Sequence, residues 1–143
     1  MSSPYRDWFV FGEQFAGGAR AWWRAENLPE LNLENPKVRE HIYAAQDSVV
    51  RSYLRDGVDG WRLDVAFCIP HRFWRQWRTL VKGINPEAYT TAEIVTLAPD
   101  YLRGDEFDAV MNYEWLYAVM GFFTLAPEAL PAGDFQRRLR RIQ

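Results

Sequence analysis

Val58-Asp59-Gly60-Trp61-Arg62-Leu63-Asp64-Val65-Ala66 is the stretch that decides the fold class. The turn pair Asp56-Gly57 precedes it and Pro70 follows it, so the run reads as one strand. Side chains alternate faces along a strand, which puts Arg62 and Asp64 on one face and Trp61, Leu63 and Val65 on the other. A parallel strand is usually apolar on both faces, so two charges on one face are costly unless they pair. An arginine beside an aspartate favours the ionised carboxylate. Two readings stand on spacing alone: a structural ion pair on a partly exposed strand, or an ionised, desolvated nucleophile.

Working outward, Asn35-Pro36 is a cap followed by a first-turn proline. Val38, Ile42, Ala45, Val49 and Tyr53 then recur at helical spacing, predicting one helix that ends at Asp56-Gly57. Downstream, a helix is expected over 71–82, with Phe73, Trp77, Leu80 and Ile84 on one face and Gly83 and Asn85-Pro86 as stops. Ala88 to Val95 reads as a second strand, Pro99 to Arg103 as a short helical turn ended by Gly104, and Phe107 to Asn112 as a third strand. Trp115 to Phe123 reads as an apolar helix. A loop marked by Pro127 and Pro131 follows, then a helix with Phe135, Leu139 and Ile142 inward and Arg137, Arg138, Arg140 and Arg141 solvated. Residues 1–33 lack periodicity and read as an irregular, aromatic-rich loop region. Strands alternating with helices imply an α/β fold with a parallel sheet covered by helices. Asp64 to Glu93 spans one strand–helix–strand unit of about 30 residues.

The chain has 143 residues, short of the roughly 200–250 that a complete α/β barrel needs. Seventeen basic and nineteen acidic residues give a net charge of −2, so nothing draws the chain to nucleic acid or to an anionic membrane. The single cysteine, Cys68, excludes an internal disulfide and fits a reducing, cytoplasmic setting. No charged-then-apolar leader begins at Met1. The longest uncharged stretch, Trp115 to Pro127, is too short to span a membrane. Aromatic residues reach 16%, which serves either core packing or flat platforms for the apolar faces of sugar rings.

The second strand also carries a carboxylate, Glu93, near its end. If the strands are parallel neighbours about 4.8 Å apart, Asp64 and Glu93 share the rim where parallel α/β sheets bind ligands. Two carboxyls about 5–5.5 Å apart are what a retaining glycosidase needs, with Asp64 as nucleophile and Glu93 as acid, then base. Asn112 and Tyr113 end the third strand on the same rim, there to contact substrate or to serve packing and backbone hydrogen bonds. Cys68 and His71 are spaced like a thiol–imidazole pair, but nothing completes such a site. His41 and His71 are too few for zinc. Gly17-Gly18 lacks the Lys-Ser/Thr of a phosphate loop, and no glycine-rich strand–helix turn marks a dinucleotide site.

Several stretches resemble the α-amylase family of glycoside hydrolases, in its neopullulanase and cyclomaltodextrinase branch. Asp59-Gly60-Trp61-Arg62-Leu63-Asp64-Val65-Ala66 is similar to the nucleophile-strand motif, and Ala92-Glu93-Ile94 to the general-acid motif. Leu28-Pro29-Glu30-Leu31-Asn32 is similar to a motif near the end of the family's inserted domain. Phe107-Asp108-Ala109-Val110-Met111-Asn112-Tyr113 and Ser3-Pro4-Tyr5-Arg6-Asp7-Trp8-Phe9 resemble segments of that branch.

The resemblance implies a fragment of a TIM (β/α)8 barrel, about strands four to six with their helices, over 34–143. It makes residues 1–33 the end of the inserted loop-rich domain. It implies Asp64 as nucleophile, Glu93 as acid/base and Arg62 as the arginine that holds the nucleophile, acting on α-glucan oligosaccharides of the maltodextrin, cyclodextrin or pullulan type. Phe67, Val95 and Asn112 become substrate-binding candidates. Phe67-Cys68 stand where the branch has Asn-Glu, Val95 where Trp is usual, and Ala92 where Gly is usual. No counterpart of the family's third catalytic carboxylate is present, so the chain alone is expected to be inactive or nearly so. It would then self-associate or pair with the missing barrel half. The alternative is a non-catalytic carbohydrate-binding or assembly fragment, or a truncated-gene remnant. No cofactor is demanded; calcium occurs in parts of the family, but no acidic cluster here argues for it.

Overall fold

A computed structural model of the chain describes residues 3–124 and 129–142. Met1, where a leader would begin, and the Pro127 side of the expected loop lie outside the described residues. The chain divides into two units, Met1–Val58 and Asp59–Gln143.

In the first unit the aromatic-rich stretch is irregular, as its lack of periodicity implies. Single antiparallel bridges join Phe9 to Leu31, Phe11 to Ala19 and Ala21 to Pro29, and tight turns cover Arg6–Trp8 and Trp22–Arg24. Asn35 caps helix α1, Pro36–Arg39, by accepting the Lys37 N–H at 2.9 Å, and its Nδ2 donates to the Asp7 carbonyl at 2.7 Å.

The single helix expected over this region is two. After α1 the chain widens into a π turn over Glu40–Ala44 and becomes extended at Ala45 (φ −70°, ψ 157°). It restarts as α2, Val49–Arg55, under a new cap. Ser48 supplies that cap, accepting from the Arg51 N–H at 3.5 Å and donating to the Tyr43 carbonyl at 2.9 Å. The break shifts the phase of the apolar face. Val38, Tyr43, Val50 and Leu54 are buried, while Val49 and Tyr53, expected inward, are exposed. Tyr43 lies five positions after Val38, the i to i+5 spacing of a π turn rather than that of an α turn.

The second unit is built on three parallel strands: β1 (Gly60–Leu63), β2 (Tyr89–Ala92) and β3 (Ala109–Val110), in that spatial order. The register pairs Gly60 with Tyr89, Leu63 with Ala92, and Ala92 with Val110. Gly60 is required here, because a Cβ would run into the Tyr89 carbonyl oxygen.

Helix α3 (His71–Ile84) crosses from β1 to β2 and buries Phe73, Trp74, Trp77 and Val81. The face expected from spacing is rotated: Ile84 is exposed and Trp74 is inside. Trp74 meets Trp77 and Phe107 edge-on at ring distances of 5.9 and 5.2 Å, and its Nε1 donates to the Ala66 carbonyl at 2.9 Å. That bond satisfies the one polar atom of a buried indole.

Helix α4 (Tyr113–Phe123) starts two residues before the apolar run, because the Asn112 side chain accepts the Trp115 N–H at 3.0 Å. Helix α5 (Ala132–Ile142) stacks Phe135 on Phe122 of α4 at 4.4 Å, and its arginines lie outward as their spacing predicts. Among the described residues, no helix is long and apolar enough to cross a membrane.

Candidate active site

β1 and β2 end side by side at Leu63 and Ala92, so the next residues, Asp64 and Glu93, emerge together at the carboxyl end of the sheet. Parallel neighbours are about 4.8 Å apart. The ladder continues under them: the Glu93 N–H donates to the Leu63 carbonyl at 2.9 Å, and the Ala66 N–H donates to the Glu93 carbonyl at 3.2 Å.

Arg62 serves both acids. One guanidinium nitrogen bonds Asp64 Oδ1 and the other bonds Glu93 Oε2 at 3.0 Å. The planar fork of arginine suits two acceptors at once. Its hydrogen bond to Asp64 raises the guanidinium's already high pKa; burial opposes this, and the charges of Glu93 and Asp64 reinforce it.

The two carboxylates differ in surroundings. The Asp64 side chain is 73% exposed, whereas that of Glu93 is 18% exposed. Glu93 Oε2 also accepts the Val65 N–H at 2.9 Å, and Glu93 Oε1 accepts the Tyr113 hydroxyl at 3.1 Å. This bond, followed by burial and the charge of Glu93, pushes the Tyr113 phenol above its ordinary pKa, so it stays a donor at neutral pH.

Val65 makes the turn possible. It sits in the left-handed region (φ 43°, ψ 45°), which is rare for a β-branched residue and costs on the order of 1–3 kcal/mol. The bond from its N–H to Glu93 offsets part of that cost. Past it, a tight turn over Ala66–Cys68 carries Phe67, which is exposed. Val95, two residues beyond Glu93, is exposed as well. Asn112 follows β3 on the same end of the sheet, but its Oδ1 is engaged in capping α4.

Sequence spacing leaves Tyr113 open between substrate contact and packing; the structure gives it Glu93. The presence of a phenol directly after the third strand was the available signal. Glu106, not singled out by any spacing, is fully buried and lies 2.8 Å from His71 Nδ1 and 3.2 Å from Arg75 Nε. His71 therefore engages a carboxylate, in line with a structural role. Among the described residues, no group of three or more His, Cys, Asp or Glu side chains is placed to hold a metal ion.

A family model described as the α-amylase catalytic domain matches residues 2–134. Neopullulanase 2 of Thermoactinomyces vulgaris is 41% identical over 148 residues, an alignment covering 99% of this chain and 24% of that protein. A cyclomaltodextrinase from a Bacillus species is 46% identical over 67% of this chain and 17% of its own length. Among solved structures, the cyclic α-maltosyl-(1→6)-maltose hydrolase of Arthrobacter globiformis, in complex with cyclic α-maltosyl-(1→6)-maltose, is 34% identical. It superposes with a TM-score of 0.86 over 99% of this chain and 32% of that one. The chain thus spans about a quarter or less of the length of these curated relatives.

Proposed function

The chain belongs to the α-amylase family, and we propose that it carries the nucleophile, the acid/base and the arginine of a retaining site for α-glucans of the maltodextrin, cyclodextrin or pullulan type. Its three parallel strands are a section of the family's (β/α)8 barrel, about strands four to six. We assign residues 1–33 to the end of the inserted loop-rich domain and 34–143 to the barrel.

Asp64 attacks the anomeric carbon as the glycosidic C–O bond breaks, and Glu93 gives its proton to the departing oxygen. An ester between Asp64 and the sugar results. Glu93, now a carboxylate, takes a proton from water; the water oxygen displaces Asp64, and both side chains return to their starting states. Arg62 aims Asp64, and Tyr113 fixes one Glu93 oxygen. Phe67, Val95 and the free end of Asn112 face the sugars beyond the scissile bond.

One observation carries this reading: a single guanidinium bonded to two carboxylates on neighbouring strands, one of them open to solvent. Arg75 likewise bridges Asp105 and Glu106; what favours the Arg62 cluster as a site is its place at the carboxyl ends of two adjoining parallel strands, where such sheets bind ligands.

By itself the chain is proposed to turn over glucans poorly. Arg62 gathers two carboxylates, whereas the family's mechanism uses a third to stabilise the transition state. β1 and β3 are also sheet edges, which favour pairing with further barrel elements or with another copy of the chain. A chromogenic nitrophenyl maltoside tests both points. Slight release, lost in Asp64→Ala and in Glu93→Gln, is expected. Robust release overturns the low activity, and release indifferent to both substitutions overturns the site.

A further inference from the structure

We propose that Trp22 and Trp23 form a separate carbohydrate platform that takes the flat face of a glucose ring in an α-glucan chain. The two indoles lie face to face, with ring centres 4.7 Å apart and planes 5° from parallel. Consecutive residues do not ordinarily stack. Their side chains point to opposite faces in a strand and diverge by about 100° around a helix.

The backbone makes the exception. Trp23 is in the left-handed region (φ 49°, ψ 31°), and Arg24 follows at φ 63°. Glycine would adopt both conformations without strain, yet neither position is glycine. The loop is closed around them: Trp22 N–H donates to the Leu28 carbonyl at 2.9 Å, Ala25 N–H to Trp22 at 2.9 Å, and Leu28 N–H to Ala25 at 2.8 Å. Ala21 bridges Pro29 at the base. A strained backbone, held from both sides, fixes the stack in one orientation.

The strain does not serve a core. Trp23 is 70% exposed although Trp22 covers one of its faces, so the other face is open to water. A rigid, solvated indole face suits the apolar C–H face of a pyranose, and indole gains large contact at little entropic cost. Arg24 and Glu26, both exposed and one and three residues after Trp23, offer donors and acceptors to the hydroxyl rim of a sugar. The choice of an α-linked glucan rests on the function proposed above. Trp22 and Trp23 belong to the first unit, and Asp64 and Glu93 to the second.

Isothermal titration of the 143-residue chain with maltohexaose, and in parallel with cellohexaose, tests this. Saturable binding of maltohexaose is expected, weakened about tenfold or more in Trp23→Ala. Trp23→Phe, which keeps an aromatic face, is expected to stay within about threefold of the parent. Both Trp23 variants should melt like the parent, because the side chain is exposed. Parental affinity in Trp23→Ala, or no saturable binding at all, overturns the platform. Trp23-dependent binding of cellohexaose alone upholds the platform and overturns the α-glucan reading on which its ligand rests. Self-association lost in Trp23→Ala, without any sugar response, assigns the stack to a contact between copies and overturns the proposal.

Discussion

Two of the aspartate–arginine clusters in the second unit, one at Asp108 and one at the rim, are built to opposite ends. Asp108, next to β3, receives Arg78 at 2.8 Å, Lys82 at 2.9 Å, and both the N–H and the hydroxyl of Thr90 at 2.8 and 2.9 Å. Two cations and two neutral donors converge on one carboxylate that is 20% exposed. Burial pushes its pKa up, but the hydrogen bonds from Arg78, Lys82 and Thr90 outweigh it and hold the carboxyl far below the ordinary range. At the rim the ratio is reversed: one cation serves two carboxylates, and Asp64 stays mostly in water. A saturated carboxylate has no lone pair to spare and ties α3 to the sheet. An under-served one keeps an oxygen open to a further donor. Pairing alone does not separate the two aspartates; the donors on each do, since four reach Asp108 and Arg62 reaches Asp64.

The largest effect expected from breaking this contrast is on stability. Asp108→Ala removes the carboxylate that Arg78 and Lys82 share and should cost about 3–5 kcal/mol, whereas Asp64→Ala should cost no more than about 1 kcal/mol. Urea unfolding of the two variants beside the parent checks the difference; equal losses would erase the distinction.

Acid unfolding sharpens the same point. The folded pKa of Asp108 is depressed, so its contribution is complete above the unfolded value of about 3.9 and is lost as pH falls below it toward the folded value. The parent should therefore lose stability steeply below about pH 4, and Asp108→Asn should flatten that slope. A slope unchanged in the variant would show that other carboxylates drive acid unfolding.

A smaller change is expected at the rim. Tyr113→Phe removes one hydrogen bond to Glu93 and should lower the urea midpoint by less than Asp108→Ala does. It should also leave Tyr101 as the one of these two raised phenols still titrating above the ordinary tyrosine range in an absorbance titration.

Much of the rim was legible in the sequence, because a strand's two-residue alternation fixes which side chains share a face. Arg62 and Asp64 follow from it, and the strand–helix–strand spacing then brings Glu93 alongside. What stayed hidden depends on local backbone departures that spacing assumes away. The π turn after Arg39 shifts the inward face from Val49 and Tyr53 to Val50 and Leu54. Positive φ at Val65, Trp23 and Arg24 lies at residues whose types disfavour it, so neither the turn after Asp64 nor the stacked indoles has a sequence signature. Tyr113 and Glu106 find their partners through tertiary contacts 20 and 35 residues away, beyond any local pattern.

The central claim is that Asp64 is a nucleophile and Glu93 its acid/base. Incubating Glu93→Gln with an activated α-maltosyl fluoride tests it most directly, because fluoride departs without an acid and the second half-reaction lacks its base. Intact-mass measurement followed by peptide mapping should find one maltosyl group, attached to Asp64 and absent when Asp64→Asn is added. A chain that stays unmodified, or one labelled equally well after Asp64→Asn, would contradict the assignment.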